Sequence, residues 1–184
     1  MSLGPTLETA RLVLRPPTHA DFDGFAAMGA EADTMRFLGG ATTRDQSWRV
    51  MAMVAGSWAL LGYGMFSVFE RGSGRWIGRV GPWRPGGTEG SWPGNEVGWG
   101  LVRAAMGRGF AAEAATAAMD WAFDTLGWEH VIHCIAEDNA PSIALALRLG
   151  SQLEHKNVPL PLATGVVPGD IYGQSRETWR ARRL

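Results

Sequence analysis

The sequence predicts a mixed α/β fold in one domain: a mostly antiparallel sheet of six to seven strands with one central parallel pair, flanked by about four helices. Three observations carry this. The chain has 184 residues, 46% of them hydrophobic, enough for one sizeable core and short of two. Its elements run strand, two helices, a three-strand meander, helix, strand, helix, two strands. Only the segment around Gly107 has the strand–helix–strand form of a parallel connection, which excludes a doubly wound sheet. With no repeat and no low-complexity linker, residues 1–184 are read as a single domain.

The elements follow in order. "RLVLRP", Arg11 to Pro16, alternates polar and apolar residues and is stopped by Pro16 and Pro17, a half-buried strand. "THADFDGFAAMG" is a short helix capped by Thr18 or Asp21. "TTRDQSWRVMAMVAGSWALLG" is a longer one, with Thr43 as its cap and Trp48, Met51, Val54 (or Ala55) and Trp58 near one face. "GMFSVFER" and "RWIGRVGPW", joined by a glycine turn, form a hairpin, and "NEVGWGLV" from Asn95 to Val102 is the next strand. The Gly/Pro-rich run Arg84–Gly94 between them is a long loop, of the kind that usually carries function. "GFAAEAATAAMDWAFDTLG" is an alanine-rich helix with Gly127 past its end. "HVIHCIAE" is a buried strand. "NAPSIALALRLG" is a helix capped by Asn139, with Pro141 in its first turn and Gly150 at its end. "SQLEHKNV" and "DIYGQSRETW" close the chain as two antiparallel strands.

Composition removes several functions. A net charge of −1 argues against a general nucleic-acid or anionic-membrane binder, and the basic tail "SRETWRARRL" reads as a solvated end. No apolar run approaches the roughly 20 residues of a spanning helix, and no charged region precedes an apolar block at the N-terminus, so neither membrane span nor signal peptide is expected. The initial Met-Ser-Leu carries no structural weight. Cys134 is the single cysteine, which rules out an internal disulfide and fits a cytoplasmic protein. The four histidines lack metal-ligand spacing, and no metal is expected. Trp83 and Trp92 flank the glycine-rich loop and are candidates for lining a cleft.

The chemistry-bearing stretch is "RAAMGRGFAAEA", residues 103–114. A helix N-terminus exposes unpartnered N–H groups and a dipole that favours negative charge. Gly107, Gly109, Ala111 and Ala112 leave those donors bare enough for a phosphate, with Arg108 and Arg103 nearby. The plainer reading is a tight strand-to-helix turn using glycine for positive φ. Gly107, Gly109 and Ala112 also match GxGxxA, a dinucleotide fingerprint, with Glu137 or Asp138 ending the next strand. That alternative, an NAD(P)-binding oxidoreductase, is weakened because Arg103 to Met106 separate strand from glycines and the preceding strands form a meander.

At this point the sequence resembles the GNAT N-acetyltransferase superfamily, most closely the branch with the ribosomal-protein N-terminal acetyltransferases. "LETARLVLRP" is similar to its opening strand, "NEVGWGLVRAAMGRGFAAEA" to its central strand and pyrophosphate loop, "NAPSIALALRLG" to its Asn-x-x-Ser helix and "GDIYGQSRETW" to its closing strand. The family loop reads Q/R-x-x-G-x-G/A. Here Met106 departs at the first position, while Gly109 and Ala111 match. Ser151 is a second departure, where the family usually has a bulky aromatic.

The resemblance implies acetyl-CoA as co-substrate and a primary amine, on a peptide or protein N-terminus or a small molecule, as acceptor. It implies that the backbone of Leu101, Val102 and Arg103 holds the pantetheine arm like an added strand. Met106, Gly107, Arg108, Gly109, Phe110 and Ala111 would cradle the pyrophosphate, and Asn139 would approach from the other side while also capping its helix. Glu96 would take the amine's proton and Ser142 would protonate the thiolate. The plainer readings are a solvent-facing strand glutamate and an ordinary first-turn serine. Tyr172 is a reserve acid. Cys134 is read as core and His133 as a satisfied buried histidine on the opposite strand face. A CoA-binding protein of this fold without turnover is a further alternative, and a homodimer is compatible with the fold.

Overall fold

Alternation of buried and half-exposed residues sets the first strands. β1 (Leu7–Glu8) and β2 (Leu12–Arg15) pair antiparallel, with Leu12 and Leu14 wholly buried and Val13 and Arg15 half-buried between them. The computed structural model describes residues 3–85, 90, 92–162 and 165–182. Of the expected loop from Arg84 to Gly94, residues 86–89 and 91 lie outside these.

The turn after β2 is built on Asp21. Thr18 and Asp21 form a reciprocal capping box that starts a 3-10 turn, His19–Asp21, leading into α1 (Phe22–Ala30). Asp21 also accepts two bonds from the Arg15 guanidinium, at 2.6 and 2.9 Å, and one from the Ser67 hydroxyl at 2.9 Å. A four-residue helix, α2 (Ala32–Met35), precedes α3 (Arg44–Leu61). In α3 the Thr43 hydroxyl accepts from the Gln46 N–H, the Gln46 side chain accepts from the Thr43 N–H, and Gly62 closes the helix at φ 74°. Its buried stripe is Ser47, Met51, Val54 and Trp58. Trp48, expected on that face, lies a helical step round; it is exposed and stacks edge-on against Phe22 and His19.

β3 (Phe66–Glu70), β4 (Trp76–Trp83) and β5 (Glu96–Leu101) form the expected antiparallel meander. After β5 come a 3-10 turn, Arg103–Ala105, the glycine loop and α4 (Phe110–Asp124). β6 (His130–Ile135) then pairs parallel to β5. α5 (Ala140–Leu149) follows, then the long antiparallel pair β7 (Gln152–Leu162) and β8 (Gly165–Ser175), then α6 (Arg176–Ala181). The described sheet has eight strands in the order β1-β2-β3-β4-β5-β6-β8-β7, one or two more than expected. β1 is the addition, too short to leave a periodic signal. β7 runs on through Pro159 and Pro161, which an edge strand tolerates.

The closing strand is a correction. "DIYGQSRETW" does not stay extended: β8 ends at Ser175, whose hydroxyl accepts from the Thr178 N–H and caps α6. The turn carries Trp179 onto Phe123 and its indole N–H onto Asp120, at 2.8 Å.

The small residues of α4 (Ala114, Ala115, Ala118 and Ala122) are wholly buried and let the helix sit close on one sheet face, over Leu14, Val68, Val80 and Val97. The opposite face, to which Arg79 belongs by alternation with Val80, lies under α1. No helix among the described residues is long and apolar enough to cross a membrane. Replacing Asp21 with Ala leaves Arg15 and Ser67 without their acceptor; unfolding in urea should show a loss of about 3 kcal/mol.

Candidate active site

The site begins where the sheet comes apart. β5 and β6 share one pair, Glu96 opposite Ile132, with the Ile132 N–H on the Asn95 carbonyl at 2.9 Å. Beyond it they diverge. The Val102 N–H donates to the Ile77 carbonyl at 2.9 Å. Alternation then turns the backbone of Val97, Trp99 and Leu101 away from β4 and into the gap. Of the three residues expected to offer backbone to a ligand arm, Leu101 turns its backbone into the gap. The Val102 N–H is spent inside the sheet, and Arg103 lies in the 3-10 turn with its guanidinium on Asp33 at 2.6 Å. Trp99 takes the second place in the gap.

At the end of that gap the chain turns through Gly107 (φ 72°) and Gly109 (φ 80°), left-handed positions that favour glycine. Gly109 caps α4 without a side chain, and the first intrahelical bond is Glu113 N–H to the Gly109 carbonyl at 3.1 Å. The N–H groups of Phe110, Ala111 and Ala112 therefore have no helical partner. Glu113 pins the turn: it accepts from the Arg11 guanidinium and backbone N–H, and Arg11 also donates to the Arg108 carbonyl at 3.0 Å. A groove of about 540 Å³ runs along this turn, lined by Leu101, Met106, Gly107, Gly109, Phe110, Ala111 and Asn139 among the expected residues. Val102, Arg103 and Arg108 do not line it. Arg108 instead pairs with Glu70 at 2.7 Å and lies over the Phe110 ring, so the positive field along the groove comes from the backbone donors, with Arg148 on the lining and Arg11 against the turn.

A second cavity, about 190 Å³, lies on the other side of the gap. Trp83 and Trp92 line it, as expected, with Glu96. Glu96 is not a solvent-facing strand residue. It is 6% exposed; its Oε2 accepts from the Trp92 indole at 2.9 Å and its Oε1 from the Cys134 N–H at 3.2 Å. Burial pushes its carboxyl up to about 7, against the opposing pull of those two bonds. Burial and the adjacent Glu96 push the Cys134 thiol up as well, which keeps it protonated and un-nucleophilic at neutral pH.

The two cavities meet at Phe37, Leu38, Trp99, Asn139 and Ser142, which line both. The Trp99 indole donates to the Ser142 hydroxyl at 3.1 Å, and the Ser142 N–H donates to the Asn139 cap at 3.3 Å. One lone pair of Ser142 is thereby occupied and its proton is free to point elsewhere. Tyr172 packs among Ile135, Ala146 and Ile143 and lines neither cavity. His133 is satisfied and buried: the Val97 carbonyl accepts from Nδ1 at 2.7 Å, and Nε2 accepts from the Ser151 hydroxyl at 3.0 Å. Ser151 accepts in turn from the Gln174 amide at 2.9 Å, so a polar network fills the place of the family's aromatic. Sequence reading missed Trp99 and Arg79, which both line the second cavity. The available signal for Arg79 was a charge in mid-strand.

A groove with free helix-terminal donors, joined through a splayed sheet to a pocket with a buried carboxylate, is the architecture of a group-transfer enzyme. The family model for the acetyltransferase (GNAT) domain matches residues 11–152, and the chain belongs to that family of acetyltransferases. An acetyltransferase from Agrobacterium tumefaciens is 32% identical over 94% of this chain and 95% of its own, with a TM-score of 0.79. A protein from Bordetella pertussis assigned to the GNAT family is 29% identical over 93% and 99%, with a TM-score of 0.74. A Vibrio cholerae protein assigned as a ribosomal-protein-serine acetyltransferase shares the fold at 22% identity, 95% and 99% coverage and a TM-score of 0.77. The dinucleotide reading falls with this assignment. The 3-10 turn holds the glycines away from the strand, and β5–β6 is the one parallel pair in the described sheet.

Burial holds the His133 imidazole down at about 4, below its ordinary 6.5. The unfolded chain therefore takes up this proton first as pH falls. The His133 contribution to stability should be flat above pH 6.5 and decline between 6.5 and 4 by on the order of 3 kcal/mol, opposite in slope to that of Glu96, whose raised carboxyl favours the folded state as pH falls through 7. Denaturant unfolding across pH should show that slope reduced in His133→Gln.

Proposed function

We propose that the protein is an N-acetyltransferase that moves the acetyl group of acetyl-CoA to a primary amine by direct attack. The observation that carries this is the junction of the two cavities: Ser142 and Trp99 stand where the groove at the glycine turn opens onto the pocket of Glu96. The residues present suit the carrier. A Cβ at Gly107 would meet nothing within 4 Å, so the turn is bare on its open side, and three helix N–H groups are available for a pyrophosphate. The backbone of Trp99 and Leu101 offers strand-like bonding to an amide-bearing arm.

Acetyl-CoA, when bound, supplies an acyl group activated as a thioester. The chain's part is positioning and proton transfer. Holding amine and acyl carbon together is worth effective molarities on the order of 10⁵ M or more, so moderate acid and base groups suffice. Glu96, near 7, takes the amine's proton, directly or through water. Ser142, its oxygen already bonded by Trp99, returns a proton to the departing sulfur. Asn139 fixes Ser142 through its backbone N–H. Cys134 is held as a thiol, which supports direct transfer over a covalent acyl-enzyme.

Calorimetric titration with acetyl-CoA, with NAD and NADP beside it, tests the carrier; acetyl-CoA alone should bind. Gly109→Val should weaken that binding at least tenfold, because a branched side chain at φ 80° is strained and a Cβ there meets Arg11 Nη2 at 3.3 Å. Wild-type affinity in that variant would falsify the assignment of the turn. In thiol-release assays kcat/KM should rise through pH 7 as Glu96 loses its proton. Glu96→Gln should lower kcat by about 10²–10⁴ and flatten that limb. Tight acetyl-CoA binding without thiol release from any amine would indicate a binding protein of the same fold.

A further inference from the structure

Arg79 is the one charged side chain of the acceptor pocket that the proposed reaction leaves unused. It stands in mid-β4, opposite Ser67 on β3 and Gly100 on β5. It lines the pocket of Glu96 and also a smaller cavity under α1 and α3. Its guanidinium lies over the Phe25 ring, 5.1 Å from the centroid. That contact satisfies the face of the cation and none of its N–H donors. Nη1 is fully buried and has no hydrogen-bond partner, and among the described residues no carboxylate pairs with it. Burial lowers its pKa only to about 10, so it is a cation at neutral pH.

Arg79 as a whole is half-buried, but its Nη1 is enclosed, and an enclosed guanidinium N–H without an acceptor is costly unless something supplies one. Its planar fork fits a carboxylate with two parallel bonds. Between Arg79 and Glu96 strand β5 carries no side chain of its own: the residues on that face after Glu96 are Gly98 and Gly100. A Cβ at Gly98 would come to 3.5 Å from Glu96 Oε1 and 3.6 Å from Met65, and one at Gly100 to 2.9 Å from Leu38. The strip thus has a carboxylate at one end and a guanidinium at the other, with no β5 side chain between them and with Leu38, Met28 and Met65 reaching over it from neighbouring elements. At about 190 Å³ the pocket is smaller than the roughly 300–1,000 Å³ that drug-sized ligands occupy. We infer that the acceptor is a small amino carboxylate, its amine presented to Glu96 and its carboxylate held by the Arg79 guanidinium. This rests on the acetyltransferase reading. In the transfer the new C–N bond forms as the C–S bond breaks, the amine's proton goes to Glu96, and the acceptor carboxylate stays intact.

The test compares free amino acids, α and ω, with their primary amides and with amide-capped tripeptides, by thiol release at saturating acetyl-CoA. For the wild type, the best free acid should exceed its own amide by about 10- to 100-fold in kcat/KM, the worth of a charge-assisted pair. Arg79→Gln should remove that advantage by slowing the acid, leaving the amide within about threefold and acetyl-CoA affinity unchanged. Equal rates for acid and amide in the wild type overturn the inference without any variant. So does a capped tripeptide that outruns every free amino acid, or an Arg79→Gln that slows acid and amide alike. Failure to bind acetyl-CoA, or to release thiol with any amine, counts instead against the transferase reading on which the inference stands.

Discussion

His133 donates from Nδ1 to the carbonyl of Val97, where an N–H of a paired strand would otherwise stand. A carbonyl can only accept, so the ring carries its proton on Nδ1 and its Nε2 must accept, which the Ser151 hydroxyl allows. The neutral ring thus replaces one rung of the β5–β6 ladder with a side chain, at the point where the ladder stops. The parallel pair could not close further without expelling it. Trp99 stacks on the same ring with centroids 4.7 Å apart, so the residue that props the strands open also sets the indole that bonds Ser142. The gap, the free backbone of Trp99 and Leu101 and the placement of Ser142 all follow from this one wedge.

The same wedge accounts for Ser151. The position is wholly buried, and an aromatic there would leave both His133 Nε2 and the Gln174 amide short of a partner. A hydroxyl serves both, accepting from Gln174 and donating to His133. Because Gln174 sits on β8 and Ser151 at the end of α5, the network also ties the last strands to the helix that carries Asn139 and Ser142. The Gln174 amide also donates to the Leu149 carbonyl at 3.1 Å, while its Oε1 is buried without a partner, so the network satisfies its donors and leaves one acceptor open.

The glycine turn was legible because its physics is local. Bare residues before an alanine-rich helix, at φ values that glycine favours, need no distant partner to be recognised. The helix caps at Thr43 and Asn139 were legible for the same reason. What escaped depends on contacts far apart in sequence. Glu96 opens a strand and could face solvent on periodicity alone; Trp92 returning over it and Cys134 from the neighbouring strand bury it. Val102 continues the apolar run of β5, yet its N–H belongs to Ile77, and only the register of the meander reveals which β5 residues face the gap. Ser175 and Thr178 look like strand residues until the hydroxyl is seen capping a helix. Trp48 shares the helix of Met51 and Trp58 but sits a step off their stripe, a distinction finer than an apolar pattern of bulky residues can resolve.

The separation of Glu96 from Arg79 has a chemical reason on the proposed reading. A guanidinium bonded directly to Glu96 would stabilise the carboxylate and hold its proton affinity well below neutrality. Such a group would be a poor base for an amine at physiological pH. Glu96 instead receives two neutral donors, the Trp92 indole and the Cys134 backbone, which orient it without adding a full charge. Desolvation then dominates and lifts it toward 7. Arg79 is kept from compensating by geometry: it is opposite Gly100, four residues along β5 from Glu96, with Phe25 against its face. Two opposite charges in one small pocket, each denied to the other, stay available to a substrate that carries the complementary pair.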